Sequence, residues 1–182
     1  MEYAIEIKVR KANEQDDLGS SKFFGNPTIP NHYIDLFYDS EMFFAQIKCS
    51  DLIPYDPNHY LPHNGYLYIF IDIEQYPYKA KVLYHDGEVD TVIDDFNQEV
   101  VGAQHLTNSF IMEFSNTDIN SQGNRLLGIA TDWPYDENSP KLLLQYDPLA
   151  SEMPFLDHLD GFVYFIFNGE LNEFDKISYH CN

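Results

Sequence analysis

Gly65-Tyr66-Leu67-Tyr68-Ile69-Phe70-Ile71 is a glycine followed by an unbroken apolar run, and Gly161-Phe162-Val163-Tyr164-Phe165-Ile166-Phe167 repeats it in the second half of the chain. Neither run alternates polar with apolar, and the first predicts a strand covered on both faces and central in its sheet. Three more signatures recur in the same order. Phe23-Phe24-Gly25 leads to Pro30, and Leu126-Leu127-Gly128 leads to Pro134. Phe43-Phe44-Ala45-Gln46-Ile47 is matched by Leu142-Leu143-Leu144-Gln145-Tyr146, and Lys81-Val82-Leu83-Tyr84-His85 by Lys176-Ile177-Ser178-Tyr179-His180. The turn glycine precedes the glutamine by 21 residues in the first half and 17 in the second. The glutamine precedes the strand glycine by 19 and 16, and that glycine precedes the tyrosine by 19 and 18. Loop insertions produce differences of this size. The expected fold is α+β, predominantly antiparallel β, with an internal duplication. Pseudo-repeat 1 covers about 1–98 and pseudo-repeat 2 about 99–182, giving two similar β halves related by a pseudo-twofold axis.

Other segments fill in this outline. In Ala4 to Lys11, Ile5, Ile7 and Val9 alternate with Glu6, Lys8 and Arg10, the pattern of a half-buried strand. Ser109 to Ser115 opens the second half in a similar way. Phe23 to Pro30 is irregular, and its Gly25 suits a positive φ or a close backbone approach. Asp51 to Pro62 is a polar loop. Glu88 to Gln98 carries Val89, Val92, Ile93 and Phe96 at helical spacing and is the best helix candidate. No linker divides the 182 residues, so one domain is expected.

Thirty acidic residues against ten basic ones give a net charge of −20. Phosphate binding needs clustered Lys and Arg, so nucleic acid is excluded as a partner class, and anionic membrane surfaces with it. A basic protein partner is what this charge permits. No apolar stretch approaches a membrane span. The opening Met1-Glu2-Tyr3-Ala4-Ile5-Glu6-Ile7 reads as a strand rather than a leader. Cys49 and Cys181 are expected as free thiols in a reducing, cytoplasmic setting.

Few residues are placed for chemistry. Gln46 and Gln145 are single amides in apolar strands, where an unmet hydrogen bond costs about 1–3 kcal/mol. Each therefore ties its strand to a loop backbone or, on the functional reading, faces a ligand between the halves. His85 and His180 end matching strands, and a twofold axis could bring them together. These four are the candidate ligand-binding residues. His59 and His63 lie four apart near Asp56, but Pro57 and Pro62 make the segment a loop rather than a zinc-binding helix. No nucleophile elbow, phosphate loop or dinucleotide fingerprint is present. No catalytic residue, metal or cofactor is therefore assigned. The aromatic, acidic stretch Asp132-Trp133-Pro134-Tyr135-Asp136 supplies a candidate interaction surface through Asp132, Trp133, Tyr135 and Asp136.

The ordered set of motifs resembles the YwqG-like family of bacterial domains. In the first half the matching stretches are Ser21-Lys22-Phe23-Phe24-Gly25-Asn26-Pro27 with Pro30, Phe43 to Ile47 with Asp51-Leu52, and Gly65 to Phe70. In the second half they are Leu127-Gly128, Leu142 to Gln145 with Asp147, Asp160 to Ile166, and Asp175. The family tends to carry Gly-Gly where this chain has Gly25-Asn26 and Gly128-Ile129. The resemblance implies a β-rich α+β fold and no particular activity, cofactor or catalytic residue. Two functions are weighed: a non-enzymatic acidic protein-interaction module, inhibitor- or immunity-like, and an enzyme or small-ligand protein with a site between the halves.

Overall fold

Ten antiparallel strands join into one sheet in the computed structural model, which describes residues 3–31, 33, 41–72, 79–89, 108–131, 141–147, 149, 153, 162–167 and 179–181. They are β1 (Ala4–Lys11), β2 (Lys22–Phe23), β3 (Glu41–Lys48), β4 (Tyr66–Asp72) and β5 (Lys79–His85) in the first half. In the second they are β6 (Phe110–Thr117), β7 (Arg125–Leu127), β8 (Lys141–Tyr146), β9 (Val163–Phe167) and β10 (Tyr179–Cys181). The fold is predominantly antiparallel β. Helical backbone among the described residues is confined to 3-10 turns, at Cys49–Leu52 and at Asn31 and Tyr33. Most of the predicted helix at 88–98 lies outside the described residues. No described helix is long and apolar enough to cross a membrane.

The strand order is β10-β9-β8-β7-β1-β6-β2-β3-β4-β5. Strands β2 to β5 thus lie on one side of the β1–β6 pair and β7 to β10 on the other. The opening strand of each half crosses over. Strand β1 pairs with β6 and β7, not with β2, and β6 pairs with β1 and β2. Alternation in β1 sets its faces: Ile5 and Ile7 are buried while Lys8 and Lys11 are exposed.

Both long hairpins carry one irregularity at a corresponding place. The β3–β4 register shifts between Phe43 and Ala45, and the β8–β9 register shifts between Leu142 and Leu144. An extra residue turns consecutive side chains to different faces and increases the local twist. Phe43 accordingly packs with Tyr68 and Phe70 on one face, while Phe44 enters the main core on the other. Leu142 and Leu143 divide likewise between two clusters.

The sheet curls onto itself around that core. The Phe44 ring meets those of Phe165 and Tyr146 at 5.0 Å each, although β3 and β8–β9 lie on opposite sides of the β1–β6 pair. Phe23 and Phe24 add edge contacts to Phe44 and Tyr146. Such aromatic pairs contribute roughly 0.5–1.5 kcal/mol each beyond their area.

Strand β4 corrects one expectation. It is buried on both faces, yet it is next to last in the sheet rather than central. Its outer cover is loop-borne: Ile29, with Tyr33 and Val89, packs over Tyr66, Tyr68 and Phe70. Burial on both faces reports cover, whatever supplies it.

After β2 and after β7 the chain turns through two left-handed residues, Phe24-Gly25 and Leu127-Gly128. The two glycines have φ of 74° and 83°. A Cβ on Gly25 would lie 1.9 Å from Ser109 Oγ, and one on Gly128 would lie 2.4 Å from the Ile119 carbonyl oxygen. Both reasons for glycine expected at Gly25 operate together, and the same two hold at Gly128.

Candidate functional site

Two buried polar rows cross the sheet. On one side Lys22 of β2, Gln46 of β3 and Tyr68 of β4 stand opposite one another in register. On the other side Arg125 of β7, Gln145 of β8 and Tyr164 of β9 do the same. All six are buried. The rows end in similar ring stacks, Tyr66–Tyr68 and Phe162–Tyr164, each with centroids at 6.0 Å and an 18° tilt.

The glutamine amides are engaged within the protein, Gln46 through both of its donors and Gln145 through one. Gln46 Oε1 accepts from the Thr28 N–H at 2.9 Å and the Thr28 hydroxyl at 2.8 Å. Its Nε2 donates to the carbonyls of Ser20 at 3.1 Å and Leu18 at 3.3 Å. Gln145 Oε1 accepts from Arg125 Nη2 at 2.8 Å, the Thr131 hydroxyl at 3.0 Å and the Thr131 N–H at 3.2 Å. Its Nε2 donates to the Gly123 carbonyl at 2.8 Å. An amide offers two donors and one oxygen acceptor, so Gln46 has no donor left for a ligand and Gln145 keeps a single N–H. Each glutamine clamps its strand to the loop that precedes β2 or β7 and to the turn that follows it.

The basic members of the rows escaped the sequence reading. Lys22 Nζ donates to the Leu18 carbonyl at 2.9 Å, and burial pushes its ammonium down to about 8, with Asp17 opposing. Arg125 donates to the carbonyls of Ile119 and Ile129, and burial pushes its guanidinium down to about 10. No described carboxylate pairs with it, and its buried Nε has no hydrogen-bond partner. The available signal was the alignment of the recurring motifs: Lys22-Phe23-Phe24-Gly25 stands over Arg125-Leu126-Leu127-Gly128.

Lys22 makes stability depend on pH. The unfolded lysine keeps its proton to about pH 10.4 and the folded one releases it near pH 8. Between these values the unfolded chain binds more protons, so stability rises with pH. Burial holds Tyr68 and Tyr146 above the usual tyrosine value, which reverses the trend above about pH 10. From pH 8 to pH 10 Lys22 thus adds roughly 2 kcal/mol, while the Cys49 thiol, which burial pushes up to about 12, works in the opposite direction because only the unfolded chain releases that proton. The difference in urea-unfolding free energy between the wild-type chain and Lys22→Met should therefore move by roughly 2 kcal/mol in favour of the wild type from pH 8 to pH 10; a difference that stays constant would show that Lys22 does not titrate in this range.

A second cluster organises the 52–63 loop. The buried Asp56 carboxylate accepts from the Tyr3 hydroxyl, from Tyr60 N–H at 3.0 Å and from Leu61 N–H at 2.8 Å, with His63 Nε2 at 3.3 Å. The His59 and His63 rings face each other at 4.1 Å. No metal-binding group of three or more ligands occurs among the described residues. Cys49 is a free, buried thiol, pushed up to about 12 by burial, which keeps it in the unreactive form.

His85 ends β5, with its ring edge-on to Tyr33 at 6.0 Å. His180 lies on β10, opposite Tyr164 in register. Strands β5 and β10 terminate the strand order at opposite ends, so no ladder brings the two histidines together. Asp132, Trp133, Tyr135 and Asp136 lie outside the described residues.

A groove of about 640 Å³ opens beside β1 at the middle of the sheet. It is lined by the strand from Glu6 to Lys11, by Asn108 and Phe110, and by the loop Gln122-Gly123-Asn124. Its side chains include Lys8, Arg10 and Lys11 against one acid, Glu6. Arg10 is tied to Asp16 at 2.6 Å and to Glu113 at 3.2 Å, and Lys8 lies 3.5 Å from Glu6. None of Gln46, Gln145, His85 or His180 lines it. Compared with known proteins, the chain matches no family model and no curated protein.

Proposed function

We propose that the chain is an internally duplicated, YwqG-like domain that works as an acidic protein-interaction module for a basic partner. Support for the duplication comes from the strand order, the two polar rows, the paired irregularities and the two left-handed turns. On this reading a pseudo-twofold axis runs between β1 and β6 and relates pseudo-repeat 1 to pseudo-repeat 2.

Charge carries the functional reading. Among the described residues two bases, Lys22 and Arg125, and two acids, Asp56 and Asp147, are buried, so the surface keeps the strongly negative balance of the sequence, and such a field speeds encounter with a basic protein. The proposed contact edge is Asp132, Trp133, Tyr135 and Asp136, with Trp133 as the aromatic anchor.

The test is capture of partners on immobilised protein at low salt. A basic partner, of isoelectric point above about 9, should be recovered and released by about 0.5 M salt. Trp133→Ala combined with Asp132→Asn and Asp136→Asn should weaken that complex at least about tenfold. Capture indifferent to salt and to these substitutions would sink the reading. The alternative, an enzyme or small-ligand protein, draws support from the groove beside β1. Its polar candidates Gln46 and Gln145 favour it less, because their amides are already bonded.

A further inference from the structure

The groove beside β1 is bounded by an open strand edge. Strand β7 is three residues long and covers only Ala4, Ile5 and Glu6 of β1. The last bond on that side runs from the Ile7 N–H to the Asn124 carbonyl at 2.8 Å, after which Gly123 and Gln122 line the far wall of the groove. Alternate residues of a strand point their N–H and C=O groups to alternate sides. The Ala12 N–H bonds the Ser109 carbonyl toward β6, so the even residues of β1 face β6 and the odd ones face the β7 side. Val9 and Lys11 therefore aim two N–H and two C=O groups into the groove. Among the described residues nothing bonds them.

We propose that this edge binds an extended segment of a partner protein by strand addition, with acidic side chains on one face of the added strand. The backbone groups of Val9 and Lys11 call for a strand, because only extended backbone offers donors and acceptors at this spacing. Side chains of the strand alternate across the edge. Lys8 and Arg10 flank it on one face, and Val9 with Phe110 flanks it on the other, ending at Lys11. Acids on one face of the segment and apolar side chains on the other complement this pattern. A second copy of β1 would set basic side chains against basic ones. At about 0.15 M salt the attraction acts within roughly 8 Å, so the acidic remainder of the molecule is largely screened. The proposal is independent of the basic-partner reading, which concerns a different surface and the opposite charge.

The experiment uses the intact chain and an acetylated, amidated hexapeptide of alternating valine and glutamate. Amide chemical shifts are followed on titration at 0.15 M salt. The shifts should map to residues 7–11 and 122–124. Val9→Pro removes one groove-facing N–H and leaves every β1–β6 bond in place; it should weaken binding at least tenfold while the urea transition persists. A peptide N-methylated on its β1-facing edge should lose binding equally, which tests the edge without altering the protein. Lys8→Glu with Lys11→Glu should favour a valine–lysine peptide over the valine–glutamate one. Absence of binding to millimolar peptide, shifts that map elsewhere, or equal affinity for the N-methylated peptide would overturn the proposal. So would a concentration-dependent dimer that Val9→Pro abolishes while the peptide fails to compete, since that assigns the edge to a second copy.

Discussion

Gln145→Leu is expected to cost the protein about 4–5 kcal/mol of stability, against about 2–3 kcal/mol for Gln46→Leu. The two amides occupy corresponding places but carry different loads. Removing Gln46 orphans the Thr28 N–H and hydroxyl and two carbonyls. Removing Gln145 orphans the Thr131 pair and the Gly123 carbonyl, and it also strips an acceptor from the fully buried Arg125 guanidinium. That charge has no described carboxylate, and its Nε is already unpaired. Urea unfolding of both variants checks the order. Adding Arg125→Met to Gln145→Leu should recover part of the loss, because the orphaned charge leaves with its cause. Equal losses at the two sites, or no recovery in the double variant, would show that the Arg125–Gln145 contact carries no special weight.

Strands were the most legible part of this fold. The apolar runs of β3, β4, β8 and β9 could be read because burial on two faces excludes polar residues, and alternation marked β1 because one of its faces is wet. The left-handed turn was legible at Gly25 because few other residues adopt that backbone freely. Partner choice was not legible. Alternation in Ala4 to Lys11 fixes which face is buried but not which neighbour supplies the hydrogen bonds, so the crossing of β1 to β6 and β7 left no local trace. For the same reason the matching strand ends of His85 and His180 did not reveal that these strands terminate the order.

The candidate sites divide along the same line. A glutamine inside an apolar run announces itself, and both were singled out. A lysine or arginine at the start of a short strand usually reaches solvent, so nothing in the sequence singled out Lys22 and Arg125. They are buried because the loops before β2 and β7 and the turns after them close over the rows. The groove depends on a length mismatch, eight residues in β1 against three in β7, which no composition rule exposes.

The crossed opening strands also determine what happens when the chain is cut. Fragments 1–98 and 99–182, made separately, are each expected to lack a cooperative urea transition and to regain one when mixed. In the first fragment β1 loses both neighbours, because its ladders run to β6 over eight pairs and to β7 over three. Ile5 and Ile7 lose their cover, and Phe44 loses Tyr146 and Phe165. Exposing a handful of such side chains forfeits on the order of 10 kcal/mol, comparable to the whole stability of a domain. A monomeric fragment 1–98 that unfolds cooperatively would show that the crossing is dispensable. The alternative product, two copies of 1–98 exchanging β1 with each other, is disfavoured by charge. Ile7 and Met112 play matching parts, each donating to the segment before the next strand, so a second β1 in place of β6 would set Lys8 against Lys8. In the intact chain Lys8 stands opposite Glu113 instead. Like charges directly across a ladder destabilise it, and opposite charges support it. The mixture should therefore settle on one copy of each fragment, with a preference that narrows as salt is raised.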